Sequence, residues 1–246
     1  MIVIPMAGMS RRFTQAGYDR PKYMLDLAGR PLFDWAALSF SAHFACQPML
    51  FILRDIAGTA DFVARRCAAL GMADARIAVL DAPTAGQAET VELGLAKAGV
   101  GDEEPLAIFN IDTIRPGLDP SPMAGCDGWL EVFDTAGDNW SFIEVDPADP
   151  ARVVRCTEKQ RISDHCCTGL YQFGSAALFE QALAAERAKP SSHELFVAPM
   201  YNHLIAKGAR IGWREVAADR VILSGVPTEY EALLAAMPEA MMGMVA

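Results

Sequence analysis

The sequence predicts an α/β fold in which a mixed, mainly parallel sheet carries helices on both faces and a smaller, β-rich second half covers one rim. Three observations predict it. Between residues 2 and 112, short runs of consecutive apolar residues alternate with longer amphipathic stretches, the pattern of strands buried on both faces and joined by helices. From Asp127 onward, short runs are separated by Asp, Pro and Gly turns, as in a more antiparallel section. Between them the two textures leave no repeat, low-complexity tract or linker, so 1–246 reads as a single domain.

In chain order, Ile2-Val3-Ile4 is the first strand, and it runs directly into the small residues Ala7, Gly8 and Ser10. Arg30-Pro31 opens a helix over 32–43, because proline suits the start of a helix and Leu32, Trp35, Ala36 and Leu38 share one face. Met49 to Leu53 is a strand, 59–70 a helix stopped by Gly71, and 76–80 the next strand. A helix over 87–98 closes at Gly99, and the strand over 106–111 ends at Asp112. Strands at 128–133, 141–145, 152–156 and 167–173 follow. Helices over 175–189 and 192–207, a strand near 209–216 and a last helix from Pro227 finish the chain.

The formal net charge is -10, from 21 Lys+Arg against 31 Asp+Glu. A nucleic-acid partner calls for a broad basic face, which this composition does not supply. Arg11, Arg12, Arg20 and Lys22 nevertheless gather against a single Asp19 just past the first strand. Bare backbone around Gly8 beside concentrated positive charge suits a small anion such as a phosphate. A solvated basic turn is the bland alternative.

The first apolar run is too short for a membrane span or a signal segment, so membrane insertion is not expected and the chain reads as cytoplasmic. The six cysteines show no metal-binding spacing and read as reduced, buried residues. Assembly is unreadable, and a homo-oligomer stays open.

In parallel sheets, ligands bind beyond the carboxyl ends of the strands. That rule brings the 7–22 loop, the 81–90 loop and Asp112 to one rim. Neither GxxxxGK[ST] nor GxGxxG occurs, so the phosphate loop belongs to another class.

Ala7-Gly8-Met9-Ser10-Arg11-Arg12-Phe13 followed by Pro21-Lys22 resembles the signature loop of the sugar-phosphate nucleotidyltransferases, with Ser10 in place of its second glycine and Arg11 in place of its threonine. Gly86-Gln87-Ala88-Glu89-Thr90 looks like their nucleotide-base loop, and Asn110-Ile111-Asp112 like the segment bearing the metal-binding aspartate. Glu158-Lys159 and Thr168-Gly169-Leu170-Tyr171 resemble the segments lining the acceptor pocket, and Gly225-Val226-Pro227 the late turn. The ordered matches span nearly the whole chain. The whole is similar to the short nucleotidyltransferases encoded with capsule and surface-polysaccharide genes.

The resemblance implies a GT-A-like, Rossmann-like three-layer fold that joins a nucleoside triphosphate to a small phosphorylated acceptor and releases pyrophosphate, with Mg²⁺ as cofactor. About 1–125 would hold the nucleotide and about 126–246 the acceptor, a sugar 1-phosphate, phosphocholine or a related phosphate. Arg12 would hold the β/γ-phosphates and Lys22 the α-phosphate, the two catalytic cations. Ala7, Gly8, Met9, Ser10, Arg11, Gln87 and Asp112 would bind nucleotide, with Asp112 also the metal ligand. Glu158, Lys159, Thr168, Gly169 and Tyr171 would line the acceptor site.

Each assignment has a plainer counterpart: Asp112 as a strand-end cap, Gln87 as a helix start, Glu158–Lys159 as an exposed ion pair, Tyr171 as a buried strand residue. Ser192-His193-Glu194-Leu195-Phe196 carries no readable chemistry, and His193 reads as a helix-start residue. Leu223 stands where the family often has a second metal-binding aspartate, with Asp219 the nearest substitute. Two other readings stay open: a GT-A glycosyltransferase consuming a nucleotide sugar, and a nucleotide-binding relative that has lost catalysis.

Overall fold

Residues 1–244 are described by the computed structural model. β1 (Ile2–Pro5) leads through a loop into the short helix α1 (Arg11–Gln15), and a two-residue hairpin, β2 (Asp26–Leu27) and β3 (Arg30–Pro31), precedes α2 (Leu32–Leu38). β4 (Met49–Leu53), α3 (Thr59–Ala69), β5 (Ala75–Val79), α4 (Gln87–Ala98) and β6 (Leu106–Phe109) complete the alternating half, followed by β7 (Thr113–Ile114). Then come β8 (Gly128–Asp134), β9 (Ser141–Asp146), β10 (Asp149–Glu158) and β11 (His165–Phe173). α5 (Ala176–Ala188), α6 (Tyr201–Ala206), β12 (Ile211–Glu215), β13 (Ile222–Leu223), α7 (Pro227–Ala235) and α8 (Glu239–Met242) end the chain.

β6, β1, β4 and β5 pair in parallel in that order. Their side chains alternate between two cores, as a strand covered on both faces requires. Ile2, Ile4 and Phe51 pack with Phe33 of α2 and Val63 of α3, while Val3, Leu50 and Ile52 pack with Val91 of α4 and Phe179 of α5. The result is three layers, the predicted architecture. Gly94 makes the α4 contact close, since a Cβ there would lie 2.3 Å from Ile52 Cδ1.

β11 runs antiparallel to β6 and continues past its carboxyl end. The C-terminal part of β11 pairs β6 through Leu170–Phe173, and Cys166 pairs Phe142 of β9. The β9–β10 hairpin is thereby carried beyond the parallel strands and overhangs their carboxyl rim. This is how a β-rich second half comes to face the loops of the first. A third core ties down the opening loop, with Phe13 of α1 packed beside Trp35, Ile222, Tyr230 and Leu233.

Three predicted features are corrected. The helix expected over 32–43 stops at Leu38, where Ser39 turns its hydroxyl to accept the Arg115 amide at 2.9 Å. The helix expected over 192–207 exists only as α6, after a 3-10 turn at Ala198–Met200 that contains Pro199. Residues 194–197 instead lie along the 85–88 loop, with Leu195 N donating to Ala85 O and Ala88 N to Leu195 O, both at 3.0 Å. His193 therefore starts no helix. Arg20 pairs with its neighbour Asp19 at 3.9 Å, both side chains exposed, and does not join the other cations of the loop.

Candidate active site

Two adjoining cavities, of about 710 and 550 Å³, open at the carboxyl rim of the parallel strands. Gln87, Asn110, Asp112 and Glu194 line both, so these side chains form the junction. The smaller cavity is walled by the opening loop, from Ala7 to Arg11 with Lys22, and by Thr84, Gly86 and Thr90. The larger takes Arg12, Trp140, Ser141, Glu158, Lys159, Thr168, Tyr171, Phe196, Leu223 and Glu229 among its walls.

Ser10 adopts φ 49°, a left-handed conformation that a glycine would reach more easily, and its hydroxyl accepts the Lys22 amide at 3.3 Å. That bond closes the loop on itself. Lys22 Nζ then donates to Asp112 Oδ2 at 2.5 Å, joining the opening segment to the end of β6. Burial pushes the Asp112 carboxyl up, but Lys22 and, more weakly, Arg12 pull it below its ordinary range, so it is ionised at neutral pH. Consecutive helical residues point about 100° apart, and Arg11 and Arg12 accordingly divide between the two cavities. Arg12 has no ion-pair partner among the described residues.

Asp112 is also held from the late turn. Its carbonyl accepts Ser224 N at 2.9 Å and Ser224 Oγ at 3.1 Å, and a Cβ on Gly225 would lie 3.0 Å from Asp112 Oδ2. The antiparallel pairing of Leu223 with Thr113 brings Leu223 next in register to Asp112, and both line the larger cavity. Asp219 is exposed and lines neither cavity, which removes it as a substitute acid. Glu229 lines the larger cavity, its Oε2 accepting Gly225 N at 2.7 Å and Val226 N at 3.1 Å.

Gln87 does more than start α4. Its Nε2 donates to Asn110 Oδ1 at 2.6 Å, a partner the sequence did not suggest. Asn110 in turn sits against Gly169, where a Cβ would come within 2.5 Å of Asn110 Nδ2 and where φ is +98°. Gly169 thus lines neither cavity; it makes room for Asn110. Gly169→Ala is expected to displace Asn110, break the Gln87 bond and cost about 1–3 kcal/mol from backbone strain, read as a lowered denaturant midpoint at unchanged slope.

Thr168 reaches the wall of the larger cavity, but it is only 2 % exposed and its hydroxyl donates to Glu131 Oε1 at 3.1 Å. Its place is in a buried network, with Arg115 Nε donating to Glu131 Oε1 at 3.0 Å. Tyr171 is buried and still presents its hydroxyl to the cavity, 3.3 Å from Ser141 Oγ. Glu158 and Lys159 are not an ion pair. Glu158 takes a short hydrogen bond from Ser141, while Lys159 Nζ lies 4.7 Å above the Phe196 ring.

Burial pushes the Glu158 carboxyl above its ordinary range against the pull of Ser141 and Lys159, and Glu194 pushes the same way. A carboxyl whose folded pKa is raised costs stability above that pKa and nothing below its unfolded value of about 4.3. Glu158→Gln is therefore expected to raise the melting temperature at pH 7–8, with the gain fading toward pH 4; an unchanged difference across that range contradicts the assignment.

Glu194 and Phe196 escaped the sequence reading. The one available signal was Gly86: its φ of 156° and a Cβ site 2.5 Å from Leu195 O require glycine where the 194–197 segment crosses.

No protein-family model matches the chain. The 2-C-methyl-D-erythritol 4-phosphate cytidylyltransferase of Ralstonia nicotianae is 27% identical over 246 residues, covering 93% of this chain and 94% of its own length. The crystal structure of the nucleoside-diphosphate-sugar pyrophosphorylase from Vibrio cholerae RC9 is 46% identical, with a TM-score of 0.91 over 96% of this chain and 100% of that one. The inositol-1-phosphate CTP transferase of T. maritima has a TM-score of 0.75 at 12% identity, over 99% of this chain and 95% of that one, a likeness of fold alone.

Proposed function

Because the chain belongs to the sugar-phosphate nucleotidyltransferase family, we propose that it transfers a nucleotidyl group from a nucleoside triphosphate to a small phosphorylated acceptor. One observation carries the reading: two cavities meet at Asp112, with the phosphate-type loop and Lys22 on one side and Arg12 and Lys159 on the other. Nucleotide in the smaller cavity and acceptor in the larger would bring α-phosphate and acceptor phosphate together at that junction. We take 1–246 as one domain, with residues about 1–125 serving the nucleotide and about 126–246 the acceptor.

The acceptor phosphate, largely dianionic at neutral pH, attacks the α-phosphorus as the bond to the β-phosphate oxygen breaks, and pyrophosphate leaves. No proton need be removed, so no catalytic histidine is needed. The chain's work is positioning and charge neutralisation. Lys22 would stabilise charge at the α-phosphate. Backbone at Ala7, Gly8, Met9 and Ser10 would approach the phosphates, with Arg11 on the nucleotide side and Arg12 reaching them from the larger cavity. Gln87 and Asn110 would orient the ligands where the cavities meet. Lys159 would meet the acceptor phosphate, with Glu158 and Tyr171 on its organic part; Thr168 would stand in the wall and Gly169 behind it.

Asp112 is the residue that would hold Mg²⁺. Among the described residues no cluster of three or more acids, His or Cys forms a metal cage. A single carboxylate at the edge of a phosphate site fits an ion that keeps water and substrate phosphates as its other ligands. When bound, the ion neutralises charge on the α-phosphate and the departing pyrophosphate.

The product would be an activated precursor for surface polysaccharide made in the cytoplasm; among the described residues no helix is long and apolar enough to cross a membrane. With Mg²⁺, one of CTP, UTP, dTTP or GTP and one phosphate monoester of a panel, the protein is expected to release pyrophosphate, and Asp112→Asn to lose that activity. Nucleoside diphosphate as product would favour a glycosyltransferase. Nucleotide binding by calorimetry without turnover on any acceptor would favour a binding protein, a reading that Leu223 beside Asp112 keeps in play.

A further inference from the structure

Between β8 and β9 the chain runs along the edge of the larger cavity, and Ala136, Gly137, Asn139 and Trp140 of that stretch supply part of its wall. Residues 135–139 make no backbone-to-backbone hydrogen bond among the described residues, so side chains order this stretch. Three consecutive carbonyls show which ones. Arg161 Nη1 donates to Thr135 O and to Gly137 O, both at 3.0 Å, and the Trp140 indole donates to the carbonyl between them, Ala136 O, at 3.1 Å. The Cys166 thiol adds a longer contact to Thr135 O, at 3.6 Å.

Arg161 is itself fixed from behind. Its Nη2 donates to Asp164 Oδ1 at 2.6 Å, and its guanidinium carbon lies 5.6 Å from the centre of the Phe142 ring. It belongs to the connection from β10 to β11, where Lys159 adopts φ 52° and donates its amide to Trp140 O at 2.8 Å. One planar fork therefore ties the connection bearing Trp140 to the connection bearing Lys159, and both residues line the larger cavity. A guanidinium suits that task, because its donors are held in a rigid plane. An ammonium in its place is a point charge on a flexible stem.

Resting on the nucleotidyltransferase reading, we propose that Arg161, which lines neither cavity, is a positioning residue for the acceptor: it holds the 135–140 wall in the arrangement that binds. The nucleotide side does not depend on it, since the smaller cavity has no wall residue between 113 and 193. Lys22 and Asp112 meet without it. The Arg161 side chain is 30% exposed and the stretch it holds is a surface loop, so its loss loosens the wall without unfolding the protein. A cavity that is competent for only a fraction of the time binds more weakly by that fraction.

The test compares the parent with Arg161→Gln and Arg161→Lys, using Mg²⁺ and whichever nucleoside triphosphate and phosphate monoester of the panel release pyrophosphate. Arg161→Gln is expected to raise the acceptor KM about tenfold, as for a wall competent about a tenth of the time, with kcat and the nucleotide KM within about twofold. Arg161→Lys should recover part of that loss. Backbone ¹⁵N order parameters over 135–140 should fall from about 0.85 in the parent to below about 0.6 in Arg161→Gln, while the core strands keep theirs and melting curves verify the fold. An acceptor KM within twofold of the parent, a loss that falls on kcat instead, or unchanged order parameters at 135–140 would overturn the proposal. A parent without turnover on any pair would sink the nucleotidyltransferase reading, and the order parameters would still decide whether Arg161 holds this wall.

Discussion

Lys22→Ala is expected to lower kcat for pyrophosphate release by about 10²–10³-fold, the scale for losing one preorganised donor at a site of developing charge. The side chain lines the smaller cavity and bonds Asp112 across the rim, which on the proposed reading would set it where charge builds on the α-phosphate. With the acceptor in the other cavity, as proposed, its KM is expected to change far less than kcat. Stability should move by no more than about 1 kcal/mol, because the Lys22 and Asp112 side chains are both in contact with solvent, 19% and 31% exposed. A melting temperature near the parent's beside a collapsed kcat separates chemistry from folding. Turnover within a few-fold of the parent would refute the role given to Lys22.

The largest expected loss of stability comes from Glu131→Ala, about 3–5 kcal/mol. Arg115 and Glu131 are 9% and 3% exposed and meet through two hydrogen bonds, of 3.0 and 3.1 Å, with Thr168 as a further donor to Glu131. Burial pushes the Glu131 carboxyl above its ordinary range, against the pull of Arg115, so the pair already carries a desolvation cost. Deleting the acid strands a guanidinium in the interior and leaves the Thr168 hydroxyl short of an acceptor. Replacing both Arg115 and Glu131 by methionine removes the desolvated charges together and is expected to recover most of the loss. Urea unfolding of the single and double variants measures this, and a double variant as unstable as Glu131→Ala would contradict it.

Much of the scaffold was legible in the sequence because its signals are local. Uninterrupted apolar runs at Met49–Leu53 and Leu106–Phe109 mark strands covered on both faces, and Gly99 ends α4 in the left-handed conformation that glycine tolerates. The small, basic texture after Ile4 marked a phosphate-type loop, and the strand-end rule brought that loop, the 81–90 loop and Asp112 to one rim. The structure puts all three around two joined cavities.

What only the tertiary structure decided depends on which segments cross. Residues 192–197 have helix-compatible composition, yet Leu195 exchanges backbone hydrogen bonds with Ala85 and Ala88, and a distant loop thereby overrides local propensity. That crossing delivers Glu194 and Phe196 to the site. Gly169 looks like a wall residue in a motif but makes room for Asn110, just past β6, while Thr168 reaches the wall yet spends its hydroxyl on Glu131 of β8. Sequence determined the sheet, the loop and the acid at its rim, since each follows from neighbours along the chain. The charge balance of the larger cavity is a sum over side chains from five separate segments, and only the fold performs that sum.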